Sequence, residues 1–429
     1  MPALGPQAPL RLGGSTGLLR SVLSRPQRLG ALTRPLTAPL MARRHKSGPY
    51  GYTQAKTLVF SKFGEPSDVL HLHTHSISPQ LPEGAVLLRT LAAPVNPSDV
   101  NTIQGIYGVK PQFSPLLGTP EPSVIPGNEG VFEVVAVSAG VSTLRRGDWA
   151  IPATTGFGTL RTHAVAEHAD RTLIPVTSHE GLTPAQVATV SINPCSAYRM
   201  LRDYTDLIAA SVASFSKDPS TPGGAWFLQN GANSGVGRAA IQLGRLWGLR
   251  SINVIRARAT EAETEALKAS LTSLGATVVL TEAEFLDRAF SSTLKSLTRD
   301  GRDPVLLGLN CVGGKSASAI VRALSPKGTM VTYGGMSRQP FMFPTGPQIF
   351  KRLRFEGFWL SEWARENPGE KRKTIEEIVA LMQDGKFEAA PVEEVKWDWE
   401  TKETVLKEAV QGTLEGFRSG KGLFVFGET

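Results

Sequence analysis

The chain contains the stretch Ala225-Trp-Phe-Leu-Gln-Asn-Gly-Ala-Asn-Ser-Gly-Val-Gly237, which predicts a strand, a glycine-rich turn and the start of a helix. Residues 226–229 suit a short buried strand, and residues 238–247 carry apolar side chains at helical spacing. Such a turn offers free backbone N–H groups and a positive helix end to a pyrophosphate. The glycines depart from the strict G-x-G-x-x-G spacing, so an ordinary tight turn between strand and helix remains the alternative.

Two arginines after the next predicted strand indicate which dinucleotide would bind. Residues 251–255 are predicted as a second strand, which is followed by Arg256-Ala-Arg258. An acidic residue here would accept a hydrogen bond from the ribose 2′-hydroxyl of NAD, whereas arginines suit the 2′-phosphate of NADP. The sequence therefore predicts NADPH as the cofactor. The alternative is that both arginines are solvated surface charges.

The first 46 residues have the composition of a targeting segment. They hold eight of the 46 Lys and Arg residues and no acidic residue, so the rest of the chain, with 38 basic and 38 acidic side chains, is formally neutral. Arginines interspersed with Leu18, Leu19, Val22 and Leu23 are typical of a mitochondrial transit peptide. The alternatives are a disordered basic tail or a nucleic-acid-binding arm. We predict a transit peptide over residues 1–46.

Cysteine content and hydropathy exclude two classes of protein. Cys195 and Cys311 are the two cysteines of the sequence, too few for a disulfide scaffold and consistent with a reducing compartment. No apolar run approaches the roughly 18 residues of a membrane-spanning helix. We therefore expect no membrane span.

The order of the predicted elements indicates an α/β protein. Residues 56–194 are rich in proline and in short apolar runs, which favours strands over long helices. From residue 183 the pattern changes to helix, and strands then alternate with helices, as in a doubly wound parallel sheet. Strands are predicted at 56–60, 85–93, 130–137, 149–152, 226–229, 251–255, 277–280, 304–311, 328–334, 354–360 and 421–426. Helices are predicted at 197–201, 238–247, 261–274, 282–297, 315–324 and 371–384.

This order resembles the medium-chain dehydrogenase/reductase superfamily. The resemblance implies a β-rich GroES-like catalytic domain at residues 50–193 and 365–429 around a Rossmann NADP-binding domain at residues 194–364. Zinc members of the superfamily carry a Gly-His-Glu-Gly motif, whereas this chain has Pro126-Gly-Asn-Glu-Gly130, with Asn128 in place of the histidine. Two cysteines cannot supply the zinc ligands of those relatives. No metal is therefore expected.

Within the zinc-free branch, four stretches resemble the mitochondrial trans-2-enoyl thioester reductases. They are Asn96-Pro-Ser-Asp-Val-Asn-Thr-Ile-Gln-Gly-Ile-Tyr-Gly108, Asn193-Pro-Cys-Ser-Ala-Tyr-Arg-Met-Leu-Arg202, Gln229-Asn-Gly-Ala-Asn-Ser-Gly-Val-Gly237 and Gly357-Phe-Trp-Leu360. The resemblance implies NADPH-dependent reduction of trans-2-enoyl thioesters, carried on acyl carrier protein or CoA, in mitochondrial fatty acid synthesis. It further implies a homodimer in the mitochondrial matrix.

Tyr107 is the candidate catalytic residue. Reduction of an α,β-unsaturated thioester needs a hydride at Cβ and a proton at Cα, and a phenol, with its usual pKa of about 10, keeps its proton at neutral pH. Tyr107 matches the residue that acts as proton donor in the resembling family. Without the resemblance, a tyrosine between two glycines is more often a loop aromatic that stacks on the core.

The resemblance also implies a set of cofactor-binding residues. Asn193 would lie near the nicotinamide, although it could equally be the N-cap of the following helix. Lys421 matches a cofactor-contacting lysine, although a solvated lysine is an equal reading. The remaining predicted residues would line the pyrophosphate, nicotinamide and acyl sites: Asn233, Ser234, Gly235, Val236, Tyr333, Gly334, Gly335, Met336, Phe358, Trp359 and Leu360.

Two rival functions remain open from the sequence. One is an NADPH:quinone oxidoreductase of the same superfamily, which needs no acid at Cα. The other is a nucleic-acid-binding or regulatory protein with a vestigial cofactor fold. The chain beyond residue 46 is formally neutral, which argues against nucleic-acid binding. We expect an enoyl thioester as the small-molecule partner and no nucleic acid.

Some charged groups remain undecided from the sequence. Residues 351–354, Lys-Arg-Leu-Arg, could dock an acidic carrier or be solvated. His71, His73 and His75 share one strand face, which favours a solvated face over a metal patch. Nothing in the sequence decides whether Glu129 supports the fold or the site.

Overall fold

The computed structural model describes residues 51–210, 224–414, 420–427 and 429. The predicted transit peptide, residues 1–46, lies outside these described residues. Among the helices that the structure describes, none has the length and apolar character needed to cross a bilayer.

The strands of the described residues form a hairpin and two larger sheets. Their bounds are β1 Thr53–Val59, β2 His71–Ile77, β3 Val86–Pro94, β4 Val131–Val137, β5 Trp149–Pro152, β6 His163–Ala166, β7 Leu173–Val176, β8 Trp226–Asn230, β9 Arg250–Ile255, β10 Val278–Thr281, β11 Val305–Asn310, β12 Thr329–Thr332, β13 Arg354–Gly357, β14 Val392–Trp397 and β15 Lys421–Phe426.

The helices considered below connect these strands or cover their faces. Their bounds are α1 Pro66–Val69, α2 Pro97–Ile103, α3 Ala169–Thr172, α4 Pro184–Ala188, α5 Asn193–Asp203, α6 Gly235–Leu246, α7 Glu261–Ser273, α8 Glu282–Leu286, α9 Phe290–Leu297, α10 Gly314–Ala323, α11 Thr345–Phe350, α12 Leu360–Glu366, α13 Pro368–Gln383 and α14 Glu403–Gln411.

The sheet of the β-rich part joins strands from both ends of the described chain. Its order is β14-β15-β3-β4-β5-β7, with β6 also paired to β3. Strand β15 is antiparallel to β3, with Leu423 opposite Pro94, and β3 is antiparallel to β4, with Ala92 opposite Val131. These registers bring the end of β3, the start of β4 and the start of β15 side by side. They lie along one edge of the sheet, meaning the edge where strands begin and end and not an outermost strand.

The second sheet is parallel throughout and has the order β10-β9-β8-β11-β12-β13. This is the strand order of a doubly wound Rossmann sheet, so the predicted fold class is confirmed. Every residue of the central strand β8 is buried. A strand covered on both faces is rich in apolar side chains, and Trp226, Phe227 and Leu228 supply them here, which is why the sequence predicts this strand so clearly. The predicted domain boundaries at residues 193 and 365 stay a prediction.

Several predicted elements differ from those of the structure. The helix predicted at residues 282–297 is two helices, α8 and α9, because Asp287 has an extended backbone. The strand predicted at residues 354–360 ends at Gly357, and helix α12 begins at Leu360. The pattern of the sequence does not predict strands β6, β7 and β14. The first two are four residues long, and β14 is a half-exposed strand that carries charged side chains.

The contact between α6 and β8 generates a prediction about stability. A Cβ at Gly244, inside α6, would lie 2.6 Å from Phe227 Cε1, whereas a Cβ at Gly369, near the start of α13, would meet nothing within 4 Å. Gly244→Ala overpacks a buried contact and should lower the free energy of unfolding by about 1–3 kcal/mol. Gly369→Ala is the matched control and should leave it unchanged or raise it by up to about 1 kcal/mol. Thermal unfolding followed by circular dichroism measures both. Equal changes in the two variants would contradict this packing.

Candidate active site

Two buried polar side chains and one largely buried lysine meet at the sheet edge formed by β3, β4 and β15. Asn96 follows β3, Glu129 precedes β4, and Lys421 begins β15. Asn96 Nδ2 donates to Glu129 Oε2 at 3.0 Å. Lys421 Nζ donates to Asn96 Oδ1 at 2.6 Å and lies 3.9 Å from Glu129 Oε2. The sequence reading of Lys421 as a solvated side chain is therefore wrong, since this side chain is 14% exposed and faces two buried groups.

Burial changes the acid–base behaviour of this group of residues. Burial lowers the pKa of Lys421, although the carboxylates of Glu129 and Asp99 act against that shift. Burial also raises the pKa of Asp99 to about 7, while the hydrogen bond from the Asn96 backbone N–H opposes that rise. The edge therefore concentrates groups whose charges depend on one another.

A cavity of about 770 Å³ is lined by this sheet edge and by residues that follow the parallel strands. Open α/β sheets place their ligands at the carboxyl ends of the strands. The following predicted residues line it: Tyr107, Asn193, Asn233, Ser234, Gly235, Val236, Arg258, Tyr333, Gly334, Gly335, Met336, Phe358, Trp359, Leu360 and Lys421. The structure thus brings together residues that are up to about three hundred positions apart in the sequence.

The glycine-rich turn has the geometry that a bound pyrophosphate needs. Gly231 has a φ of +61°, and a Cβ there would lie 2.5 Å from Cys311 Sγ. Ser234 caps helix α6 by accepting a hydrogen bond from Gly237 N at 3.1 Å. The helix begins at Gly235, three residues earlier than predicted. Its N-terminus therefore lies in the turn that lines the cavity. A dinucleotide phosphate fits this helix end.

The two predicted phosphate-binding arginines have different positions. Arg258 lines the cavity, and its backbone N–H donates to Thr264 Oγ1 at 2.9 Å. Arg256 is exposed and is not part of the cavity lining. Sequence reasoning missed Arg238 and Arg338, which also line the cavity. Neither has a motif signal, because only the fold brings them to the cavity that Arg258 also lines.

Tyr107 lies where two cavities meet. Besides the first cavity it lines a second one of about 480 Å³. Trp359 Nε1 donates to the Tyr107 hydroxyl at 3.0 Å, and the two rings meet edge to face at 6.2 Å between centroids. An indole N–H can only donate, so it leaves the hydroxyl proton of Tyr107 available to another acceptor. The alternative of a loop aromatic stacked on the core does not describe this contact.

A second phenol, Tyr333, also lines the first cavity but differs from Tyr107. Burial raises the pKa of Tyr333 well above its ordinary value, so its hydroxyl keeps its proton. Tyr333 does not line the second cavity, whereas Tyr107 lines both. Of these two phenols, Tyr107 is the one placed to reach a substrate that extends from one cavity into the other.

Asn193 has a tertiary partner instead of a capping role. Helix α5 begins at Asn193, and its N-cap is Ile192, so the N-cap reading of Asn193 is wrong. Asn193 Nδ2 donates to Asn96 Oδ1 at 3.3 Å. A Cβ at Gly235 would lie 3.0 Å from Asn193 Nδ2, so a larger residue at the start of α6 would press on this amide.

Asn128, which replaces the zinc-ligating histidine of the zinc members, forms two hydrogen bonds within the protein. Asn128 Nδ2 donates to Asp99 Oδ1, and Asn128 Oδ1 accepts from Gly156 N at 2.7 Å. Both functional groups of this amide are used within the protein. Among the residues that the structure describes, no three His, Cys, Asp or Glu side chains are grouped to hold a metal.

The histidine strand is partly buried instead of fully solvated. His73 and His75 stack at 5.9 Å between ring centroids, and His73 Nε2 lies 2.8 Å from Leu117 O. Burial, with the nearby charges of His73 and Arg161, lowers the pKa of His75 to about 4. His75 is therefore neutral at physiological pH.

The basic stretch at residues 351–354 is partly used within the fold. Lys351 Nζ donates to two carbonyl oxygens, those of Arg322 and Leu324, each at 2.8 Å. Arg354 donates to Thr329 Oγ1 at 3.1 Å and to the Tyr204 carbonyl oxygen at 3.2 Å. These contacts hold the edge of the parallel sheet, so the two side chains are not simply solvated charges.

Comparison with known protein families identifies the class of the chain. Residues 82–178 match the alcohol dehydrogenase GroES-like domain, and residues 235–383 match the zinc-binding dehydrogenase domain. Together with the Rossmann sheet and the cavity, these matches define a medium-chain dehydrogenase/reductase. The chain belongs to the mitochondrial enoyl-[acyl-carrier-protein] reductase family of this superfamily.

Individual relatives give the extent of this similarity. The chain is 45% identical over 337 residues to the mitochondrial enoyl-[acyl-carrier-protein] reductase of Yarrowia lipolytica, covering 79% of this chain and 82% of that protein. It resembles the solved complex of Etr1p with NADP and crotonyl-CoA, with 40% identity, a TM-score of 0.78 and coverage of 87% of this chain and 99% of that one. It is also 37% identical to an NADPH quinone oxidoreductase of Kluyveromyces marxianus, over 80% of this chain and 87% of that protein.

The positions of the arginines generate a prediction about cofactor choice. Alanine at both Arg256 and Arg258 should weaken NADPH binding about tenfold or more and leave NADH binding nearly unchanged, because NADH lacks the 2′-phosphate. Arg258→Ala alone should account for most of the loss, since Arg258 lines the cavity and Arg256 does not. Fluorescence titration with each cofactor measures the dissociation constants. Equal losses for NADPH and NADH would contradict the phosphate assignment.

Proposed function

We propose that this chain reduces trans-2-enoyl thioesters with NADPH in mitochondrial fatty acid synthesis. The observation that carries the proposal is the Tyr107 hydroxyl, which lies where the two cavities meet and accepts a hydrogen bond from Trp359. Family membership supports the reaction, and the geometry supports the assignment of residues to its steps.

The larger cavity would hold the cofactor. The turn at Ser234 and the N-terminus of α6 would bind the pyrophosphate, and Arg258 would pair with the 2′-phosphate. Asn193 would contact the nicotinamide carboxamide, at the end of the cavity formed by Asn96 and Lys421. When bound there, NADPH supplies the hydride that adds to Cβ of the enoyl chain.

The second cavity would hold the acyl chain. Its wall combines apolar side chains such as Val109, Leu117 and Phe157 with a similar number of polar ones. Mixed walls of this kind bind a mostly apolar ligand and fix its orientation. The acyl chain would therefore leave its reacting carbons beside Tyr107, with the thioester toward the larger cavity.

Tyr107 would protonate Cα. Hydride addition at Cβ leaves an enolate of the thioester, and this enolate needs a proton on one face of Cα. The hydroxyl of Tyr107 is oriented by Trp359 Nε1, which donates to its oxygen and leaves the O–H free to donate to Cα. The second product is then the saturated acyl thioester.

We also propose a homodimer in the mitochondrial matrix. Strand β13 forms one edge of the parallel sheet, and the preceding segment exposes apolar side chains that include Met342, Ile349 and Phe350. Phe350 is 85% exposed. An open strand edge beside apolar surface favours pairing with a second copy of the chain.

The proposal predicts that Tyr107→Phe lowers kcat at least about a hundredfold with trans-2-hexenoyl-CoA, because general acid catalysis contributes about that much or more. The dissociation constant for NADPH should stay near that of the wild type. Absorbance at 340 nm follows turnover by the protein without residues 1–46.

Tyr198→Phe is the matched control for this experiment. It also removes a hydroxyl with a hydrogen-bond partner, Glu377, but lies outside both cavities. Its kcat should remain within a few-fold of the wild-type value. Full turnover by Tyr107→Phe would remove Tyr107 as the acid, and activity toward quinones without activity toward enoyl thioesters would assign the chain to the quinone reductases.

A further inference from the structure

The side-chain amide of Asn96 lies between a carboxylate and an ammonium group. Its Nδ2 donates to Glu129 Oε2 at 3.0 Å, and its Oδ1 accepts from Lys421 Nζ at 2.6 Å. A carboxylate only accepts hydrogen bonds, and an ammonium only donates them. The Asn96 amide therefore has one orientation, with its nitrogen toward Glu129 and its oxygen toward Lys421.

This orientation determines that of the next amide. Asn193 Nδ2 donates to the same oxygen, Asn96 Oδ1, at 3.3 Å. With its nitrogen turned toward Asn96, the amide of Asn193 has its oxygen left for the cavity, which Asn193 lines. A carboxamide N–H is the group that this oxygen would accept from.

Glu129 is fixed by its own partners. It is fully buried. Its Oε1 accepts from Ile192 N at 2.8 Å and from Ser191 Oγ at 3.3 Å. The buried Lys371 donates to the Ser191 carbonyl oxygen and holds that segment in place. Since a backbone N–H cannot rotate away, Oε1 must remain an acceptor.

We propose that Glu129 is a positioning residue for the nicotinamide, acting through Asn96 and Asn193. The carboxylate sets the direction of both amides, so that Asn193 presents an oxygen to the N–H of the nicotinamide carboxamide and holds the ring in one orientation. This inference rests on the proposed function, because it requires NADPH in the larger cavity.

Glu129→Gln reverses the donors and acceptors in the series of hydrogen bonds from residue 129 through Asn96 to Asn193. It does so without changing the size of the side chain. The Gln oxygen would stay with Ile192 N, so its NH₂ would face Asn96. Asn96 would then turn its oxygen toward residue 129 and its nitrogen toward Asn193. Lys421 Nζ, which can only donate, would lose Asn96 as its acceptor and would turn toward the cavity that Lys421 lines. Asn193 must in turn present its NH₂ to the cavity, where it meets the carboxamide NH₂ of the cofactor donor to donor.

The test compares NADPH with reduced 3-acetylpyridine adenine dinucleotide phosphate, using trans-2-hexenoyl-CoA as substrate. The acetyl group keeps the carbonyl acceptor of the carboxamide but lacks its N–H. We expect Glu129→Gln to lower the ratio of kcat/KM for NADPH to that for the analogue by about tenfold or more, since an unmatched buried polar group costs about that factor. The dissociation constant of 2′,5′-ADP, which lacks the nicotinamide, should not change.

Two further variants separate positioning from stability. Glu133→Gln, four residues after Glu129 and inside β4, replaces the ion pair with the buried Arg89 of β3 by a neutral contact. It should leave the cofactor ratio unchanged even if it lowers the melting temperature. The double variant Asn96→Asp, Glu129→Gln moves the carboxylate to position 96, where it again accepts from Asn193 Nδ2 and from Lys421. In this double variant, the ratio of kcat/KM for NADPH to that for the analogue should return toward the wild-type value. The double variant therefore tests the inference even if Glu129→Gln alone does not fold.

The outcomes distinguish this inference from the proposed function. If the wild type does not oxidise NADPH with the enoyl thioester, the proposed function fails. If the wild type is active and Glu129→Gln keeps the wild-type ratio, or the double variant does not recover it, the positioning role of Glu129 is overturned while the proposed function stands.

Discussion

The antiparallel pairing of β15 with β3 is the constraint on which the site depends. It places Leu423 opposite Pro94 and so brings Lys421, near the end of the chain, beside Asn96. The pairing of β3 with β4 adds Glu129 to the same edge. Burying these groups apart from one another would be costly, because an unpaired buried charge is strongly destabilising. The fold and the polar end of the cavity are therefore stabilised by the same contacts.

A second constraint comes from the parallel sheet. Its strand order brings the turns after β8, β9, β11 and β12 to one edge, where the glycine-rich turn, Arg258 and Tyr333 line a common cavity. Trp359 follows β13 at this edge and reaches Tyr107 of the β-rich part. The hydrogen bond between these two side chains thus links the cofactor side of the site to the acid that would act on the substrate.

The sequence predicts those parts of the molecule whose signal is local. The apolar residues 226–228 of β8 and the glycines after the strand predict the turn, because a strand buried on both faces is rich in apolar side chains. The role of Glu129 has no local signal, since a buried and a solvated glutamate look alike until the register of β3 and β4 is known. Arg256 and Arg258 also look equivalent in sequence, and only the direction of the chain after β9 separates the exposed residue from the one that lines the cavity. The assignment of Lys421 to the site comes from the family resemblance, and its low exposure follows from the pairing of β15 with β3.

The central claim is that hydride goes to Cβ and a protein-held proton goes to Cα of an enoyl thioester. The most direct measurement is mass spectrometry of the product after turnover of trans-2-hexenoyl-CoA with NADPH in D₂O by the protein without residues 1–46. The account predicts hexanoyl-CoA with one deuterium, located at Cα. Deuterium from the solvent at Cβ, or an unreacted thioester under conditions in which a quinone is reduced, would contradict it.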